Sequence, residues 1–144
     1  MALGLGVAFT AETAAVSKKK PDLSNGKKIY ETSLCITCHG ATGKGDGAAA
    51  AALTKKPRNF NDTVYMASEG MVKLRKSIAL GGGSVGLSPL MTGFKGALKD
   101  KQIDEVLDYV LVTFSGKGSA KFDEAIKAAD TKAAEKTKAE KKSK

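Results

Sequence analysis

Residues Cys35-Ile36-Thr37-Cys38-His39 contain both cysteines and the single histidine of a 144-residue chain. On a helix the two thiols lie about one turn apart, with the imidazole next to the second of them. A C-x-x-C-H run of this kind suits covalent capture of one haem, each thiol bonding a vinyl-derived carbon and the imidazole lying under the iron. Other readings compete for the same residues. A thioredoxin-like redox pair belongs at the start of a helix that follows a strand, and no α/β pattern surrounds this motif. Structural zinc wants four ligands, usually as two pairs, and the chain has no third cysteine and no second histidine. Two inert buried thiols would leave the adjoining histidine unexplained.

Outward from the motif, the pattern is helical and the punctuation is glycine. Upstream, DLSNGKKIYETSL reads as a helix running into the cysteines, capped by Asp22 or Ser24, with Ile29, Tyr30 and Leu34 on adjacent faces. Downstream, GATGKGDG from Gly40 to Gly47 holds too much glycine for helix and reads as a loop, followed by an alanine run (Ala48 to Ala52) suited to a short helical turn. The next stretch sets Val64, Met66, Met71, Leu74 and Ile78 in a helical pattern interrupted by Gly70 and ended by Gly81, Gly82 and Gly83. A second irregular loop, GGGSVGLSPLMTGFKGAL, contains Pro89 and Met91, and its glycines allow backbone to come close to a ligand. After it comes the clearest helix, capped by Asp100, with Asp104 and Glu105 near its positive end and a stripe of Ile103, Val106, Leu107, Val110, Leu111 and Phe114. Neither an internal repeat nor a useful run of strand alternation is present.

Charge is spread unevenly. The net +9 divides into +3 over residues 1–28, +2 over 29–114 and +4 over 115–144. The middle is therefore only mildly basic, and its arginines, Arg58 and Arg75, stand apart without the interleaved aromatics of a nucleic-acid groove, so no nucleic-acid partner is expected. Beyond Gly116 the composition turns to Lys, Ala and Glu, with Phe122 and Ile126 as its large apolar groups. Such a segment favours helix but has little to bury, and it is expected to be a mobile basic tail from about Lys127 onward. At the other end, MALGLGVAFTAETAAV resembles the apolar part of a secretory signal without its basic start, Thr13 and Ala15 being small enough for cleavage. It falls short of the roughly 20 apolar residues of a span, so no stable transmembrane segment is expected in the mature chain.

If a haem is bound, His39 fills one axial position, and the other falls to Met, Lys, water or nothing. Met66 and Met71 lie in a helical pattern where methionine commonly fills core gaps. Met91 sits in the irregular loop, free of helical geometry.

These residues resemble the class I c-type cytochromes, in particular their small bacterial monohaem members. The likeness runs from about Leu23 to Phe114 and rests on Gly26 with Tyr30, CITCHG with GKGDG, KPRNF, SPLMTGF and LKDKQIDEVLDYV. It implies an all-α fold in which the N- and C-terminal helices cross around one covalently attached haem, Gly26 and Tyr30 meeting Val106 and Tyr109. Haem c would be held through Cys35 and Cys38, with His39 and Met91 on the iron and a carbonyl near Pro57 accepting the imidazole's hydrogen bond. The expected organisation is a signal-like segment and basic linker over 1–20, a haem domain over 21–116, and a Lys/Ala-rich tail, partly helical or disordered, over 117–144.

The implied function is a periplasmic carrier of single electrons, not an enzyme, meeting redox partners through an acidic docking surface on their side. It would be membrane-associated if the N-terminal segment is retained. Two alternatives stay open: a fixed haem c subunit relaying electrons within an oxidoreductase complex, and a ligand-binding haem sensor in which Met91 gives way.

Overall fold

The stripe Ile103, Val106, Leu107, Val110 and Leu111 is at most 5% exposed at every position, which makes its helix the centre of the molecule. The computed structural model describes residues 22–142, so the signal-like segment and linker expected over 1–20 lie outside the described residues. Five helices follow in order: α1 (Ser24–Thr32), α2 (Cys35–His39), α3 (Thr63–Leu80), α4 (Asp100–Thr113) and α5 (Ala120–Lys142). Short 3₁₀ turns occupy Ala48–Ala52 and Gly82–Val85, and no strand occurs among the described residues. None of the described helices is long and apolar enough to cross a membrane.

α1 begins at Ser24 with Leu23, rather than Asp22 or Ser24, at its N-cap; the Asp22 carboxylate just before it accepts the Ser24 N–H at 3.0 Å, which holds that carboxyl below the usual carboxylate range. It buries Gly26, Ile29 and Tyr30. At Gly26 it crosses α4 so closely that a Cβ there would lie 2.7 Å from Tyr109 Cβ and would also strike the Glu105 backbone. The Tyr30 and Tyr109 rings pack at 5.5 Å just beyond the crossing. The helix does not run unbroken into the cysteines, however. It stops at Thr32, and Leu34 takes a left-handed conformation with φ 61° and is 69% exposed, so it leaves the buried face it was expected to share. That reversal turns the chain and starts α2 as a separate turn.

α3 is capped by Asp62, whose side chain accepts the Tyr65 N–H at 3.0 Å, and it breaks at Gly70, where φ 72° and ψ 153° are far from helical. Met66 is buried, whereas Val64 is 74% exposed and takes no part in the core. The expected cap of α4 also differs. Asp100 lies inside the helix and joins Asp104 in binding Arg75 of α3, at 3.0 and 2.6 Å, while Gln102 Oε1 accepts the Lys99 N–H. Those ion pairs are exposed and fix direction more than they stabilise.

The tail beyond Gly116 forms α5, in keeping with the expected partly helical segment, but its first turns, which had little to bury by composition, pack along α3. Phe122 is fully buried in the core, Ile126 packs against that core, and Ala129 and Asp130 lie over the break at Gly70. The glycine leaves a shallow place on α3 that a larger residue would fill. Past that point Thr131, Lys132, Glu135, Lys136 and Lys138 are exposed. Two changes separate the packed turns from the exposed ones. Phe122→Ala should lower unfolding free energy by about 3–5 kcal/mol in urea titrations, whereas truncation after Thr131 should leave the midpoint unchanged. Equal midpoints for Phe122→Ala and the parent chain would show that α5 contributes nothing to the core.

Candidate functional site

α2 is only five residues long and has no buried residue of its own, so its neighbours must hold it. Three contacts do. Tyr30 of α1 donates its buried hydroxyl to the Gly40 carbonyl at 2.8 Å. Gly45 N–H donates to the His39 carbonyl at 2.9 Å and Gly47 N–H to the Cys38 carbonyl at 3.2 Å, so the glycine loop satisfies carbonyls that the short helix leaves open. Gly47 approaches so closely that an added Cβ would lie 2.6 Å from the Ile36 carbonyl oxygen. The loop was legible as a loop; its task of clamping α2 was not.

The clamp presents Cys35, Cys38 and His39 to one deep cleft. Its two lobes, about 740 and 1350 Å³ of non-atom space with open solvent included, share Cys35, His39, Arg58, Leu87, Met91 and Phe94. Val106, Leu107 and Val110 of α4 wall the inner lobe; Lys55 and Lys56 line the outer. Both cysteines are free thiols, and burial pushes the Cys35 thiol up to about 11.

His39 is largely enclosed. Burial lowers its pKa, and a hydrogen bond with the Arg58 backbone pulls the other way; Nδ1 is sealed from solvent. The loop backbone that bears on the imidazole is that of Arg58, next to Pro57, while the Pro57 carbonyl itself sits against Gly45, in the space a Cβ would take. Phe60 also touches the imidazole, stacked on it at 4.4 Å and 17° between planes. The quoted KPRNF stretch contained this residue, yet only its position beneath His39 reveals the contact.

Met91 reaches the cleft from a loop stapled to the end of α3. Its carbonyl accepts the Gly82 N–H at 2.9 Å, and Phe94 and Lys95 N–H groups donate to Ile78 and Ala79, each at 3.0 Å. Gly81, at φ 87°, leaves room for the Met91 carbonyl, which would be 2.8 Å from a Cβ. Met66 also lines the inner lobe, from the buried face of α3; Met71 is not among the lining residues. A polar strip enters the same lobe, with the Arg58 guanidinium 4.4 Å above the Tyr65 ring and Glu69 paired to Lys73 at 2.7 Å. Nothing in the sequence pattern marked Tyr65 or Glu69.

Residues 23–114 match the family described as Cytochrome c, and the match takes in α1 through α4 and both loops of the cleft. The chain belongs to the cytochrome c family. No curated protein and no solved structure matches it. α5 lies beyond the matched residues. A cytochrome c binds haem c covalently through its cysteines, here Cys35 and Cys38, and the cleft fits that group. Two free thiols, a buried imidazole, the Met91 side chain and apolar walls border the two joined lobes, a donor set and lining that suit a covalently tethered haem.

The Tyr30 bond tests how much the clamp depends on α1. Because Gly43 N–H also reaches the Gly40 carbonyl at 3.3 Å, Tyr30→Phe should cost only about 1 kcal/mol in denaturant unfolding. A cost near zero would mean that the clamp holds without the hydroxyl.

Proposed function

We propose that the protein is a periplasmic carrier of single electrons whose haem iron is held by His39 and Met91. Bound there, haem c supplies one-electron redox chemistry. Each residue of the cleft then has a defined task. Cys35 and Cys38 tether the group, His39 offers a ring nitrogen from one side, and Met91 offers its thioether from the other. The observation that carries this reading is that Met91 and His39 border both lobes of the same cleft while Met91 rides on a loop with its backbone fixed to α3.

Two protein ligands leave no open position for a substrate, which favours a carrier over a catalyst or a sensor. Val106, Leu107 and Val110 give the inner lobe an apolar wall, and a methionine ligand beside apolar surroundings favours the reduced state. Lys55 and Lys56 at the outer lobe supply positive charge where a partner would approach, which supports an acidic docking surface on that partner. Export is supported by the chemistry of attachment, since joining haem to C-x-x-C-H needs reduced thiols beside machinery that works outside the bacterial cytoplasm.

The rival ligand is Met66, which borders the inner lobe and is 2% exposed. Met91→Ala should keep covalent haem, lose the weak near-infrared sulfur-to-iron band and lower the reduction potential. Met66→Ala should keep the band and cost roughly 2–5 kcal/mol of stability as a core truncation. A band that survives Met91→Ala and vanishes in Met66→Ala would transfer the ligand role to Met66.

A further inference from the structure

α5 changes character after Asp130. Over residues 120–130 it is part of the domain: Phe122 is fully buried, Ile126 joins the core, and Ala129 and Asp130 cover the break in α3 at Gly70. Those residues hold two lysines against three acidic groups. Over residues 131–142 the helix continues with Thr, Ala, Lys and Glu alone, five lysines against two glutamates, and Lys132, Lys136 and Lys138 are exposed. The charge therefore changes sign, from −1 to +3, at the point where burial stops. A free segment of this length would be marginal as a helix, but this one extends a helix already anchored, and at 1.5 Å per residue it reaches about 18 Å. No described residue of α5 borders the cleft.

We propose that residues 131–142 are a basic arm that docks on the anionic headgroups of a lipid bilayer and holds the cytochrome domain beside the membrane surface. The composition of the arm selects that partner. A folded acidic protein is gripped through aromatic and arginine anchors gathered on one face, and the arm contains neither residue type. Its lysines are not gathered either: at about 100° per residue Lys132 and Lys136 lie on one side of the axis and Lys138 on another. Insertion among acyl chains needs large apolar groups, which alanine and threonine do not supply. A layer of anionic headgroups asks only for positive charge within a Debye length, and each lysine near it strengthens attachment about fivefold. The arm lies beyond the residues matched to the family, and its docking is independent of which side chains hold the iron.

Co-sedimentation of the full chain carrying its haem, followed by haem absorbance in the pellet, tests the arm. The protein should pellet with vesicles of phosphatidylglycerol and phosphatidylcholine, stay in solution with phosphatidylcholine alone, and be released at about 0.5 M salt. Changing Lys132, Lys136 and Lys138 together to Gln should weaken binding on the order of a hundredfold, and truncation after Thr131 should abolish it, both with the parent unfolding midpoint. No pelleting with the anionic vesicles overturns the proposal, as does equal pelleting with neutral ones or undiminished binding after truncation. Retention on immobilised polyglutamate without vesicle binding would assign the arm to an acidic protein and overturn it too.

Discussion

α1 and α4 touch backbone to backbone at Gly26, and much of the rest is hung from that contact. With no Cβ at this position the two helices come close enough for Tyr30 to pack on both Tyr109 and Phe114 and reach the Gly40 carbonyl at the end of α2. A five-residue helix has no stability of its own, since nucleation costs more than so few bonds return. The turn that carries both thiols and the imidazole is therefore an ordered structure because a helix crossing elsewhere in the sequence orders it. The glycine loop completes the hold by donating N–H groups to the Cys38 and His39 carbonyls.

The same economy of glycine shapes the opposite wall. Gly81 and Gly93 let the Met91 loop lie against the end of α3, where an added Cβ on Gly93 would sit 2.6 Å from the Leu80 carbonyl carbon. Gly70 breaks α3 and accepts α5 across the gap. α3 is thus flanked by the cleft on one side and by α5 on another, and Met66 and Phe122 are both buried in the core it shares with α4. Phe122 and Ile126 of α5 thus share one core with Val106, Leu107 and Val110 of the cleft wall, even though the helix lies beyond the residues that define the family.

The legible parts of the sequence were those in which a local pattern is enough. The C-x-x-C-H run named the attachment turn, the α4 stripe named the helix that walls the cleft, and the glycine clusters named both loops. The parts that stayed hidden depend on pairs distant in sequence. Phe122 and Ile126 are too sparse to form a stripe, and their burial needs the break at Gly70. Leu34 fits the apolar pattern of α1, yet the chain must turn there to start α2, and a leucine's left-handed backbone has no sequence mark. Phe60 matters only because its backbone is tied to Gly43 and Ser115, which brings its ring beneath His39.

In the proposed arrangement the clamped turn and the stapled loop would hold His39 and Met91 on opposite sides of one haem. A crystal structure of the oxidised protein with data collected at the iron absorption edge tests it most directly. One anomalous peak is predicted per chain, inside the cleft, within bonding distance of a His39 ring nitrogen and the Met91 sulfur. Iron bonded to neither residue, or bound outside the space bordered by Cys35 and Cys38, would contradict it.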